Sequence, residues 1–249
     1  MKIDINLALL PGLVAGLAAS TTAALAGPSL MNDLTSEMGL GADLAISDTM
    51  NPDAAVGFSA AGATFGGVLG GNDGRNYIRT TATDYNASNF SAEVTVAGTG
   101  RAFFGLGGGN VGTFGTPDWD VADTAWLEAL VGGNTSFFTF NDGPNLQGGA
   151  GLAGPLSSPF RLRMDYDAGA QTLVFSADVD YAGGPFAADF TSSAFDISAL
   201  FTEGEEARVF IGGGSGAVLS DLVINVVPAP GGFAALAIAG LGVSRRRRD

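Results

Sequence analysis

The feature that most limits what this chain can become is a strict two-residue alternation around one tight turn. In Arg161-Leu162-Arg163-Met164-Asp165-Tyr166-Asp167, residues Leu162, Met164 and Tyr166 take one side and Arg161, Arg163 and Asp165 the other. After Ala168-Gly169-Ala170, the segment Gln171–Asp180 repeats the pattern. Leu173, Phe175, Ala177 and Val179 alternate there with Val174, Ser176, Asp178 and Asp180. Successive side chains of a strand point to opposite faces, so this period predicts a hairpin with one apolar and one wet face. Antiparallel sheets that pack on one side read this way.

The rest of the body agrees. Its 39 glycines, with Thr, Val, Phe and Asx-Gly turns, are strand-and-turn composition. Further strands are predicted at Asn76–Thr81, Phe90–Ala97, Ala102–Leu106, Ala125–Val131, Ser136–Phe140, Ala207–Ile211 and Leu219–Val226. Helical signals are confined to Phe195–Phe201, led by Asp196, and to Asn32–Leu44. The fold class expected is all-β, an antiparallel β-sandwich in one domain over residues 27–225. No fixed-period repeat and no linker divides it.

The two ends have a different character. Met1-Lys2 precedes an apolar run, Leu7 to Ala19, and Ala24-Leu25-Ala26 stands before Gly27-Pro28. A charged start, a short apolar stretch and a small-x-small site are the layout of a secretory signal peptide, here residues 1–26 with cleavage after Ala26. Asp4 and Pro11 depart from that layout, and an N-terminal core helix is the other reading.

At the far end Val226-Val227-Pro228-Ala229-Pro230-Gly231 leads into an apolar run and then Arg245-Arg246-Arg247-Arg248. Pro228 and Pro230 fix φ and remove two backbone donors, which keeps the chain out of sheets and helix interiors. Gly231 to Val243 is 13 residues, about 20 Å as a helix. A bilayer core is about 30 Å thick and takes about 20 apolar residues. Such a helix is short for a permanent anchor, and four arginines hold the extreme end on the cytoplasmic side.

This tail, residues 226–249, resembles the PEP-CTERM sorting domain of Gram-negative bacteria that build extracellular polysaccharide. Val227, Pro228, Ala229, Pro230 and Gly231 stand in the place of its Pro-Glu-Pro motif, with Ala229 where glutamate is most frequent. Arg245 to Arg248 match its basic cluster. The resemblance implies transient residence in the inner membrane and cleavage by an exosortase-type enzyme. It then implies delivery to the cell surface or the extracellular matrix of a biofilm. An ordinary tail anchor or a buried C-terminal helix are the competing readings.

Charge narrows the partners. Between Gly27 and Val227 there are six basic and 23 acidic residues, a net of −17. A body this acidic is repelled by nucleic acid and by anionic membranes. The chain has no cysteine and no histidine. Disulfides, thiolate nucleophiles, Ser-His-Asp catalysis and His-bound zinc are all excluded. Among common hydrolase chemistries, paired carboxylates remain.

Asn76–Thr80, Phe90–Val96, Phe160–Asp167 with Leu173–Phe175, and Arg208–Gly216 with Leu219–Ile224 together resemble the strand series of concanavalin A-like and laminin-G-like jelly rolls. Glucanases of that class carry two glutamates on one strand, in Glu-x-Asp-x-Glu or Glu-x-Asp-x-x-Glu arrays. The glutamates here are Glu37, Glu93, Glu128, Glu203, Glu205 and Glu206, and none forms either array. The expectation is therefore a non-catalytic surface or matrix protein with a structural or adhesive sandwich contacting exopolysaccharide. The alternative is a divergent carbohydrate-active enzyme using Glu93 and Glu128 brought together by folding.

One segment suggests a ligand. Asp118, Asp120 and Asp123 lie in Pro117–Asp123, after the glycine-rich Gly105–Asn110. Their carboxylates could present oxygens to Ca²⁺, which takes 6–8 of them, and Trp119 could stack on a sugar. The plainer reading is a solvated acidic turn, with Trp119 and Trp126 filling the core. Asn141-Asp142-Gly143 carries the same ambiguity.

Overall fold

A computed structural model describes residues 27–47, 55–66, 76–107, 124–133, 135–140, 147–150, 156–179, 181–200 and 206–227. Sixteen strands fill them: β1 (Leu30–Asn32), β2 (Leu44–Ser47), β3 (Gly57–Ser59), β4 (Gly62–Phe65), β5 (Asn76–Thr80), β6 (Asn89–Gly98), β7 (Arg101–Gly107), β8 (Thr124–Leu130), β9 (Thr135–Phe140), β10 (Gln147–Ala150), β11 (Phe160–Asp167), β12 (Thr172–Asp178), β13 (Phe190–Thr191), β14 (Phe195–Asp196), β15 (Arg208–Gly214) and β16 (Ala217–Val227).

The strands make two antiparallel sheets. A nine-stranded sheet runs β13-β12-β11-β6-β16-β4-β3, with β1 on β16 and β14 on β12; a seven-stranded sheet runs β10-β9-β8-β7-β15-β5-β2. Period-two side chains dictate how they pack. From the nine-stranded sheet Val94, Val96, Leu162, Met164, Phe175, Leu219 and Ile224 point inward; from the other come Ile78, Phe104, Leu106, Leu127, Val209 and Ile211. Phe104 and Phe175 meet edge-on across the gap at 6.5 Å between ring centroids. The architecture is the antiparallel sandwich expected, with its core between two inner faces.

The predicted hairpin forms as β11–β12, in register from Arg161↔Asp178 to Asp167↔Thr172. Asp167 Oδ1 caps the turn by accepting from the Gly169 and Ala170 backbone N–H groups at 2.8 and 3.0 Å. Each helical signal yields no more than a single turn. Phe195–Phe201 begins instead as β14, because Phe195 packs on Phe175 in the core at 6.3 Å. Asp196 then accepts from the Ser198 N–H in a single turn. Asn32–Leu44 yields one 3-10 turn, Met38–Leu40. Asn32 and Asp33 divert their side chains to the Leu34 and Thr35 N–H groups, the usual competition of Asx residues with helix. Gly41, at φ 63°, ends it.

Seven short strands (β1, β2, β3, β4, β10, β13 and β14) have no counterpart among the predicted ones. Val226, the predicted end of the last strand and start of the tail, pairs with Phe90 in β16, and Val227, placed with the tail by sequence, extends the strand one residue by pairing with Asn89. Among the described residues no helix is long and apolar enough to cross a membrane.

Candidate functional site

The outer face of the seven-stranded sheet carries the most distinctive side-chain arrangement. Strand register aligns Arg79, Phe210, Gly105 and Trp126 across β5, β15, β7 and β8. The next row reads Tyr77, Gly212, Phe103 and Glu128. In each row a glycine separates two rings. A side chain at Gly212 would come within 2.5 Å of Tyr77 Cδ1, and one at Gly105 within 2.6 Å of Trp126 Cβ. The glycines therefore make room for rings lying across the strands.

Tyr77 touches Phe210 edge-on at 5.5 Å and Phe103 at 6.1 Å. All four rings are 1–3% exposed, yet none belongs to the cluster between the sheets. This sheet is thus buried on both faces, and Trp126 fills a second apolar layer instead of the sandwich core. The signal was present in sequence. Ala102-Phe103-Phe104-Gly105-Leu106 and Val209-Phe210-Ile211 have no polar alternate positions, which is how a strand covered on both sides reads.

Charged groups border the rings. Arg101 Nη1 meets Glu128 Oε1 at 2.6 Å, and Arg208 reaches Glu206 at 3.3 Å and the Thr80 carbonyl at 3.0 Å. Burial, then the neighbouring Arg208 guanidinium, lowers the Arg79 pKa from its ordinary value.

Several chain segments open from one end of this sheet. Gly107 is in register with Thr124 and Arg208, and Thr124 with Phe140; Thr139 is in register with Gln147. The β7–β8 and β9–β10 connections, and the segment entering β15, therefore share that end. They include residues 108–123, 141–146 and 201–205. Asp118, Asp120, Asp123, Trp119, Asn141 and Asp142 lie on them, outside the described residues, as do Glu203 and Glu205. Among the described residues no three metal-ligating side chains cluster.

Glu93 and Glu128 are not brought together. Glu93 alternates with inward-facing Val94 on β6 of one sheet, and Glu128 with inward-facing Leu127 on β8 of the other. They stand on opposite outer faces of a sandwich whose core alone is about 10 Å thick. Glycoside hydrolysis needs carboxyls about 5–9.5 Å apart. Each is also engaged by arginine: Glu93 by Arg161 and Arg163, both at 3.5 Å, and Glu128 by Arg101. This pair cannot do acid–base work on one bond.

Of the processing residues, Gly27 is buried against the Tyr85 ring, and Val227 is 58% exposed at the end of β16. Ala24, Ala26, Pro228, Ala229, Pro230, Gly231 and Arg245 to Arg248 lie outside the described residues.

No protein-family model matches the chain, and no curated protein matches its sequence. Solved structures do. Lectin II from Ulex europaeus superposes with a TM-score of 0.51 at 13% identity, covering 82% of this chain and 100% of that one. A Bacillus licheniformis beta-glucanase gives 0.51 at 11% identity, over 82% and 99%. The winged bean acidic lectin complexed with methyl-α-D-galactose gives 0.51 at 11%, over 81% and 99%. The fold is the concanavalin A-like jelly roll of lectins and glucanases, as the strand series implied.

Proposed function

We propose that this is an exported, non-catalytic jelly roll that contacts polysaccharide at the cell surface or in the extracellular matrix. The observation that carries the reading is the separation of Glu93 from Glu128 within a fold shared with lectins. The fold supports sugar contact, and this pair of acids is unavailable for cleavage. The shared end of the seven-stranded sheet supports a location for that contact. There the β7–β8 connection would bring Asp118, Asp120 and Asp123 to Ca²⁺, with Trp119 beside a sugar face. The net of −17 makes a neutral polysaccharide, or an acidic one bridged by Ca²⁺, the fitting partner.

The tail supplies the route. Pro228 follows Val227 directly, so the sorting motif would meet an exosortase-type enzyme immediately outside the last strand. The segment 231–243 would hold the chain in the inner membrane until that cut.

Two measurements test this. Intact-mass analysis of protein recovered from the host's envelope and matrix fractions should find a chain starting at Gly27 and lacking Arg245 to Arg248. A full-length product retained in the membrane would sink the sorting reading. Calorimetry with neutral and acidic polysaccharides, with and without Ca²⁺, should give heat that the triple substitution D118N/D120N/D123N removes. Release of reducing ends would overturn the non-catalytic reading.

A further inference from the structure

The outer face of the nine-stranded sheet, predicted to be wet, is half-buried or exposed over most of its length but covered at one place. Ser220, Thr95, Arg161 and Asp178 stand in one register row across β16, β6, β11 and β12. Thr95, Arg161 and Asp178 are 7%, 8% and 6% exposed. Residues 181–189, between β12 and β13, strap across them. Tyr181 lies 4.9 Å from the Arg161 guanidinium and Phe186 5.8 Å from that of Arg163. The Ala187 N–H donates to Asp178 Oδ2 at 3.0 Å, and the Val179 N–H to Asp189 Oδ2 at 2.8 Å.

Two atoms under the strap stand out. Thr95 Oγ1 and Arg161 Nε are buried with no hydrogen-bond partner among the described residues, and their residues are direct cross-strand neighbours. Arg161 is poorly served elsewhere. Among the described residues its Nη1 has only long contacts, 3.4 Å to the Gly184 carbonyl and 3.5 Å to a Glu93 carboxylate that Arg163 shares. A guanidinium offers five N–H donors, and a buried polar group left unmade costs more than a made bond returns. A fold keeps such a pair at a cost in stability.

From this geometry we infer a second saccharide subsite, on the face away from the seven-stranded sheet, in which Arg161 and Thr95 hold adjacent hydroxyls of a neutral sugar. Arg161 Nε–H donates to one hydroxyl oxygen, and Thr95 Oγ1 exchanges a hydrogen bond with its neighbour. Asp178 and Glu93 accept the hydroxyl protons. Asp178 ends the row, Glu93 stands opposite Arg163 on the next, and Asp165 lies one row further; three carboxylates against two guanidiniums put net like charge before a carboxylate or sulfate, whereas a diol offers both donors and acceptors. Entry requires lifting the strap. Gly183 and Gly184, with φ of 91° and 113° and open space around them, form its crest. The site deepens the polysaccharide reading without depending on the loops that carry Asp118, Asp120 and Asp123.

The test uses the full chain and methyl α-D-glucopyranoside, galactopyranoside and mannopyranoside, with galacturonate and sulfate as anionic probes. A neutral glycoside should shift the Arg161 Nε–H resonance and slow its exchange. Thr95→Val should weaken that binding at least about tenfold while raising Tm of the free protein by about 2–4 °C. Arg161→Lys should lose binding with near-ultraviolet circular dichroism unchanged; if it fails to fold, Thr95→Val still decides. Three results overturn the inference: no Arg161 shift at saturating glycoside, tighter binding of galacturonate or sulfate, or a lower Tm for Thr95→Val. Polysaccharide binding lost in D118N/D120N/D123N but intact in Thr95→Val would sink this subsite and leave the proposed function standing.

Discussion

The backbone N–H of Val226 donates to Ser29 Oγ at 3.0 Å, stitching the first strand of the body to the last. β1 continues the seam, with Leu30 opposite Ile224 and Asn32 opposite Leu222. One residue earlier, the Pro28 carbonyl accepts from the Tyr85 hydroxyl at 2.9 Å. The expected signal-cleavage end and the expected sorting end thus leave the fold side by side. The Val226–Ser29 bond is exposed, so Ser29→Ala should cost about 0.5–1.5 kcal/mol. Gly27→Val places a side chain where even a Cβ comes within 2.8 Å of the Tyr85 ring and should cost about 1–3 kcal/mol. Urea unfolding of both variants checks the order.

The ring–glycine rows give a sharper prediction. A Cβ at Gly105 would meet the Ala125 carbonyl at 2.3 Å, and one at Gly212 the Asn76 carbonyl at 2.5 Å. Backbone cannot swing aside as a side-chain tip can. Gly105→Ala and Gly212→Ala should each lose about 1–3 kcal/mol and perturb the near-ultraviolet signal of Trp126 and Tyr77. Gly66→Ala, with nothing within 4 Å, should change stability by less than about 0.5 kcal/mol. Equal effects at all three positions would refute the argument.

How far the sequence revealed this fold depended on how each face is covered. β11 and β12 were legible because Leu162, Met164, Leu173 and Phe175 alternate with polar residues. The same alternation misled about the other face: Arg161, Ser176 and Asp178 are buried under a strap that no period-two pattern encodes. β3, β4, β13 and β14, at two to four residues each, are too short to show any period. Glu93 and Glu128 are each recognisable as strand residues, but which sheet each strand joins is a matter of long-range pairing. Their separation was therefore invisible in the chain. The aromatic layer was visible in Phe103 and Phe210, had the lack of alternation been read as burial on both sides.

Alkaline pH should unfold the body over a defined window. Burial, then the nearby Asp84 and Asp43, pushes the Tyr85 hydroxyl up to about 12 from 10.0, and burial, then Asp167, does the same for Tyr166. The folded state holds both phenols neutral while the unfolded chain begins to ionise near pH 10. Their stabilising contribution is fully present below pH 10 and is lost as pH rises from there to about 12. Stability measured by urea titration should fall through that range, alongside phenolate absorbance. Tyr85→Phe should shift the onset upward if ionisation drives the fall. An onset unchanged in both Tyr85→Phe and Tyr166→Phe would refute the assignment.

The two glutamates on opposite faces should respond unequally to neutralisation. Glu93 is 15% exposed and compensates two guanidiniums, one of them Arg161, whose side chain is 10% exposed. Arg163 keeps its closer partner Asp165 at 2.8 Å, but Glu93→Gln leaves the buried Arg161 short of a counter-charge, which should cost about 1–3 kcal/mol. Among the described residues Glu128 serves Arg101 alone, whose side chain is 44% exposed and can rotate into solvent. Glu128→Gln should cost less than about 1 kcal/mol, as solvent-screened pairs do. Chemical denaturation of the two single variants and the double gives the comparison. Because the residues share no partner and sit on different sheets, the double should equal the two singles added, within about 0.5 kcal/mol. Strong coupling between them would mean that they meet, and with it the pairing of carboxylates that hydrolysis requires.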